Sequence, residues 1–314
     1  MKTNIEVHYR HLVQQKGGYK VLHAHLDKSN IVTPQILDTA QKVSMQDKWH
    51  LFQKIKDSYT YQSVYNRAEI ALHKMIKQKV PLVRTFVDAD PTVGQMCIDA
   101  LVNLKHDYKS IIDIEIAIQP LEGVVSLPAR KAFEIACKKA DLVGGLPSRD
   151  SDPKEHIRIL FDIASSLNLP VDLHIDQLND PDEIETQLLL EVIEETSFTN
   201  KVNAVHCISL SAKDSSYQEE ICQRLNNHNV GVIICPSAAL SMKPVLKNTT
   251  THNSIAPLQI LHQNNVQVAL GVDNIHDLFM PLVDGDMWFE SRLLMEATRC
   301  YDLNLISDIA TRYI

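Results

Sequence analysis

The chain has 314 residues, 45% of them hydrophobic and 22% charged, with only 9 Gly and 13 Pro; this balance supports a sizeable buried core and leaves little room for disorder. Its 31 Lys+Arg against 39 Asp+Glu give a formal charge of -8, and no stretch concentrates base as a phosphate backbone requires, so nucleic acid is not an expected partner. The apolar runs are strand-length, far short of the roughly 20 residues a bilayer needs, no signal peptide is readable, and the six scattered cysteines lack a C-x-x-C pair; a cytoplasmic protein with reduced thiols and no membrane partner is expected.

Short runs rich in Val, Ile and Leu alternate with longer amphipathic stretches, the pattern of βα units around a parallel sheet. The first run, Lys20 to His25, ends in His23-Ala24-His25. A break in the rhythm follows from Thr33 to Tyr61. There Ile36, Leu37, Ala40 and Val43 have helical spacing, as do Trp49, Leu51, Phe52 and Ile55. An insertion at this place lies at the strand's C-terminal end, where two readings stand open: a cover over the mouth of a barrel, or an added packing helix with no substrate contact.

Beyond it, helices are predicted over Asn66 to Lys79, Gly94 to Leu104, Ala129 to Lys139, Pro153 to Leu167, Pro181 to Glu195, Tyr217 to Asn227, Ile255 to Asn264 and Met287 to Cys300. Asp152-Pro153 and Asp180-Pro181 read as helix starts, with Asp as cap and Pro in the first turn. The strands between them are Leu82 to Val87, Ile111 to Ile118, Asp141 to Leu146, Pro170 to Ile175, Lys201 to Ser209, Val230 to Pro236 and Val266 to Val272. Eight runs spaced about 36 residues apart predict one α/β domain over 1–314, a (β/α)8 TIM-like barrel.

Side chains two apart on a strand share a face, so His23 and His25 can meet one metal ion. Three later strands also end in ligating or proton-transferring groups: His174 in VDLHIDQ, His206 in VNAVHCIS and Asp273 in LGVDNIHD. A barrel brings its C-terminal strand ends to one pocket, so these distant residues become neighbours there. His276 and Asp277 follow the eighth strand and belong to the rim. The remaining histidines fall in helical or loop stretches and read as surface or packing residues.

With HAHLDKS at 23–29, VRTFVDADPTVG at 83–94, LEGVVSLP at 121–128, VDLHIDQLND at 171–180, VHCIS at 205–209 and GVDNIHDLFMPL at 271–282, the sequence resembles the amidohydrolase superfamily, in its cytosine deaminase and N-isopropylammelide amidohydrolase branch. The resemblance implies that His23, His25, His174 and Asp273 hold one divalent ion, zinc or iron. It also implies that Asp273 handles the proton of the activated water and that His206 stands beside the reacting carbon. The substrate implied is a small nitrogenous heterocycle, and the reaction is hydrolytic deamination or another C–N cleavage. Lys28, in HLDK, matches the isopropylammelide branch as a pocket residue.

Four departures from the family pattern stand out. Relatives carry a Glu three residues after the fifth-strand histidine, where it protonates the substrate; here it is Gln177, whose amide donates a hydrogen bond but transfers no proton. Glu122, and after it Asp176, are the candidates to replace that acid. Cytosine deaminase has an amide-recognising Gln immediately before the EG of the third-strand loop, whereas Leu121 precedes Glu122-Gly123 here and Gln119 lies two residues upstream. Asn274 stands where that enzyme has a second Asp. Finally, the sequence leaves little room for the flanking β-sandwich of the branch, so either a barrel alone or a homo-oligomer covering the flank is expected. Gln177 also supports an alternative: a metal-binding relative that has lost deaminase activity and acts as a binding or regulatory protein.

Overall fold

The computed structural model describes residues 4–40, 42, 45–245 and 251–314. Helix α1 (Ile5–Gln15), capped by Asn4 accepting the Glu6 amide at 2.9 Å, leads into β1 (Lys20–His25). Two helices follow as the insertion, α2 (Pro34–Ala40) and α3 (Met45–Lys56). Val43, expected on the first of them, lies outside the described residues. The barrel resumes with α4 (Tyr61–Lys77), started by a reciprocal Thr60–Ser63 capping box, and β2 (Leu82–Asp88).

Then come α5 (Met96–Tyr108), β3 (Asp113–Gln119), α6 (Leu127–Cys137), β4 (Leu142–Gly145), α7 (Pro153–Leu167), β5 (Val171–Ile175), α8 (Glu185–Thr196) and β6 (Val202–His206). The series ends with α9 (Ser215–Asn227), β7 (Gly231–Ile234), α10 (Pro236–Ser241), α11 (Leu258–Gln263), β8 (Val268–Leu270), β9 (Asp273–Asn274), α12 (Met287–Thr298) and α13 (Leu303–Thr311). All strands pair in parallel, in the order β8-β7-β6-β5-β4-β3-β2-β1-β9. Between β8 and β9 the chain stays in the ladder. Gly271 N–H donates to Ile234 O in β7 and Val272 N–H to His23 O in β1, both at 2.9 Å. The run from Val268 to Asn274 thus spans the gap between β7 and β1 and closes the expected β/α barrel.

Apolar side chains from seven of the strands fill the interior: Leu22, Phe86, Ala117, Leu142, Val205, Ile233 and Ala269 belong to one buried cluster, while a larger core lies between sheet and helices. The β1–β2 register slips by one residue between Val21 and Ala24. That bulge changes which residues face inward. Below it Leu22 belongs to the interior cluster; above it His23 and His25 meet the interior Phe86 at 4.4 and 5.7 Å between ring centroids.

Two expectations are corrected. The helix expected from Pro181 begins at Glu185, because the carboxylate of Asp176 accepts the amides of Glu185 and Thr186 and supplies the cap from a distance. Asp180 instead turns the loop by accepting the Asp182 amide. Helices α1, α10 and α13 were not predicted; α1 and α13 pack on each other, with Tyr9 Oη donating to Ile306 O at 3.4 Å. Asp152 does cap α7, accepting the Glu155 amide at 3.0 Å. No helix among the described residues is long and apolar enough to cross a membrane.

Candidate metal centre and its pocket

The C-terminal ends of β1 and β5 and the short strand β9 bring His23, His25, His174 and Asp273 together, with one ligand atom from each lying within 4.8 Å of the others. Asp273 Oδ1 is 3.1 Å from His23 Nε2 and 3.0 Å from His25 Nε2, and the Nε2 atoms of His25 and His174 are 3.4 Å apart. His206, at the end of β6, completes the ring cluster, 5.4 Å from His23 and 5.3 Å from His174 between centroids. His206 and Asp273 both hold left-handed backbone, φ +79° and +64°. Such strain costs on the order of 1–3 kcal/mol per residue and clusters at functional sites.

Burial decides the protonation states. Desolvation against Phe86 and the neighbouring rings pushes His23, His25 and His206 down to about 4 and His174 well below its ordinary value. All four imidazoles are therefore neutral at pH 7 and have lone pairs to give. Burial alone would raise the Asp273 carboxyl, but hydrogen bonds from His23 and His25 hold it well below the carboxylate range. His174 Nδ1 faces only the carbonyl of Gly145, at 3.0 Å, so it must donate, which leaves Nε2 free as an acceptor. Three neutral imidazoles and one carboxylate, with inward-facing nitrogens opposed by one another, fit a divalent cation.

A cavity of about 640 Å³, including its open mouth, stands over this cluster. His25, His174 and Asp273 form its floor; Lys28, Gln119, Gln177 and Asn274 supply polar groups; Leu121 and Leu146 are among the apolar walls. Every residue predicted for substrate contact (Lys28, Gln119, Leu121, Asn274) therefore faces one space. Gln177 lines it too, with Nε2 donating to Ser148 Oγ at 3.3 Å. Glu122 does not. It is exposed and accepts from Gln53 Nε2 at 2.8 Å, outside the cavity lining. Asp176, buried, is occupied at the start of α8.

Asp277 is buried behind the rim, accepting the Phe279 and Met280 amides at 2.9 Å each and a hydrogen bond from Asn274, which it fixes in the cavity wall. His276 points away, its Nδ1 donating to Pro281 O at 3.1 Å.

No family model matches the chain. A Haemophilus influenzae protein described as uncharacterized is 30% identical over 264 residues, covering 82% of this chain and 96% of that protein. N-isopropylammelide isopropyl amidohydrolase of a Pseudomonas species is 21% identical over 283 residues, 86% of this chain and 65% of that enzyme. Among solved structures, 5-methylcytosine deaminase from Klebsiella pneumoniae liganded with 5-fluorocytosine matches with a TM-score of 0.85 at 22% identity, covering 93% of this chain and 72% of that one. In sequence and in fold the chain is similar to enzymes of the amidohydrolase superfamily.

Some residues in and behind this pocket are not among those the sequence singles out. Asp88, at the end of β2, is a buried hub: it pairs with Lys28 at 3.1 Å and Lys56 at 2.7 Å and accepts Gln119 Nε2 at 2.6 Å. The two lysines hold its carboxyl well below the usual range against the upward push of burial. The same strand-end rule that found His174 and Asp273 applies to Asp88 and would have found it. Asp88 stands behind the lining, whereas Trp49, Ser241, Met242 and Phe279 line the cavity itself; they come from loops and inserted helices, whose placement no periodicity reports.

Proposed function

We propose that the protein is a mononuclear metal-dependent hydrolase that deaminates, or otherwise cleaves a C–N bond of, a small nitrogenous heterocycle. The observation that carries this reading is the convergence of His23, His25, His174 and Asp273 on the floor of the cavity. These four would hold the ion, zinc or iron; when bound, it supplies a hydroxide-like nucleophile at neutral pH.

The chain's own groups account for the remaining chemistry. The Asp273 carboxylate takes the proton of the attacking water and returns it to the departing amine as the C–O bond forms and the C–N bond breaks. His206, neutral and buried beside His23, stabilises charge developing on the reacting carbon's substituents. Gln119, Asn274 and Gln177 read the donor and acceptor edge of the ring, and Lys28, oriented by Asp88, meets an oxygen of the substrate. Glu122, outside the cavity, takes no part.

The test is metal analysis of the purified protein together with ammonia release from cytosine, isocytosine and ammelide-type triazines. One equivalent of divalent metal and turnover abolished by Asp273→Ala are expected. Failure to bind a divalent ion under any loading condition would sink the proposal. A second reading, a binding protein that retains the metal without deamination, is favoured by one observation, Gln177 in the acid's place; metal at full occupancy with no turnover of any compound would support it.

A further inference from the structure

The face that α3 turns toward the barrel carries Trp49, Phe52 and Lys56, at i, i+3 and i+7 on one side of the helix. Lys56 reaches deepest, pairing with Asp88 at 2.7 Å and Asp90 at 2.5 Å. Phe52 is fully buried and meets Phe279 at 5.5 Å between centroids. One turn nearer the helix start, the half-buried Trp49 lines the cavity that also holds His25, His174 and Asp273. Its indole is backed by Arg149, whose guanidinium carbon lies 4.1 Å from the ring centroid and whose Nε donates to Leu121 O at 2.8 Å. The indole is thereby held by a cation that is itself tied to the backbone of the cavity wall.

We propose that Trp49 is a specificity-determining residue. It provides the stacking wall for a planar ring whose reacting carbon lies over the His and Asp cluster, and Arg149 is the positioning residue that fixes the indole. This rests on the proposed hydrolysis of a heterocycle. A rigid indole is suited to the task, since it offers a large apolar contact at small entropic cost and takes any planar ring by its π-face.

The chain has two tryptophans. The other, Trp288, lies outside the cavity and packs on Tyr9 at 5.3 Å, so Trp288→Phe leaves Trp49 as the sole indole reporter. Titration of that variant with cytosine, 5-fluorocytosine, isocytosine and ammelide should quench Trp49 emission, with calorimetry on the unsubstituted protein giving the affinities independently. Trp49→Ala should weaken binding and raise KM about tenfold with a smaller change in kcat, whereas Trp49→Phe, which keeps a π-face, should restore most of the affinity. Arg149→Ala in the reporter variant should make Trp49 more accessible to acrylamide. Binding or turnover of any of these compounds with silent Trp49 emission and unchanged Trp49→Ala affinity overturns the stacking role and leaves the hydrolase proposal standing. Neither binding nor turnover across the panel overturns both.

Discussion

His174 donates its Nδ1–H to the carbonyl of Gly145 at 3.0 Å, across the β4–β5 pair. The bond fixes the tautomer of the one candidate ligand that has no hydrogen bond to Asp273. Gly145 is the residue type this spot demands, because a Cβ there would collide with Leu160 Cδ1 and with Leu173 Cδ2 at 2.8 Å. Both leucines are fully buried in a close-packed core that leaves their ends little room to give, so Gly145→Ala is expected to displace β4 and its carbonyl. Metal affinity should fall about 10- to 100-fold, the usual cost of losing a partner behind a metal ligand. Competition with a chelator of known affinity measures it, and undiminished affinity would show that the carbonyl does not set the tautomer.

Much of this arrangement is legible in the sequence, and the reason is topological. A parallel barrel sends every strand's C-terminal end to one place, so residues at the ends of apolar runs predict their own meeting: His23 with His25, His174, His206 and Asp273. What escaped depends on exceptions to periodicity. The register slip in β1 that turns His23 and His25 inward above Leu22 has no marker in an apolar run. Nor does the left-handed backbone at His206, Cys207 and Asp273, non-glycine positions held by their surroundings. The start of α8 was misplaced because its cap comes from Asp176, nine residues away, while Asp180-Pro181 carries a helix-start signal that only shapes a turn.

Lys56 anchors the insertion. It is 2% exposed and bridges Asp88 and Asp90. In Lys56→Met, Asp88 keeps Lys28 and Gln119, and Asp90 keeps the amides of Thr92 and Val93. Breaking a buried pair costs about 3–5 kcal/mol, and these remaining partners place the expected loss near the lower end, about 3 kcal/mol. Denaturant unfolding should show that loss, and limited proteolysis should cut α3 sooner. A change below about 1 kcal/mol would mean that Phe52 and the apolar contacts hold the insertion unaided.

Glu290, on α12, should make stability fall with rising pH. Burial pushes its carboxyl up to about 7, against two hydrogen bonds from Ser237 at the start of α10. In the unfolded chain the same group titrates near 4.5. Between those values the folded state holds more protons than the unfolded state. The contribution is thus fully present below about pH 4.5 and lost as pH rises through about 7, with an upper bound of roughly 3 kcal/mol. Glu290→Gln keeps an acceptor for the Ser237 amide and has no proton to lose. Melting temperatures of both proteins from pH 5 to 8 should converge at the acid end and separate at the alkaline end, with the variant the more stable there; parallel curves would remove Glu290 as the source.

On the proposed hydrolase reading, Gln177 is the residue that bears on the route of the second proton. Its side chain lines the cavity and donates to Ser148 Oγ at 3.3 Å, so the fold already points this position into the cavity. A carboxyl group placed there by Gln177→Glu would accept from the same Ser148 hydroxyl when ionised and, when protonated, could pass its proton to a ring nitrogen as the water attacks, which an amide does not do. A positioned general acid typically contributes about 10² to 10⁴ in rate. Ammonia release from cytosine and isocytosine, whose ring nitrogens need that proton, should rise by a factor in this range at unchanged metal content. If the substituted protein is no faster than the native one while metal remains fully bound, the departing amine already receives its proton through Asp273 alone, and the amide at 177 serves recognition rather than marking a lost acid.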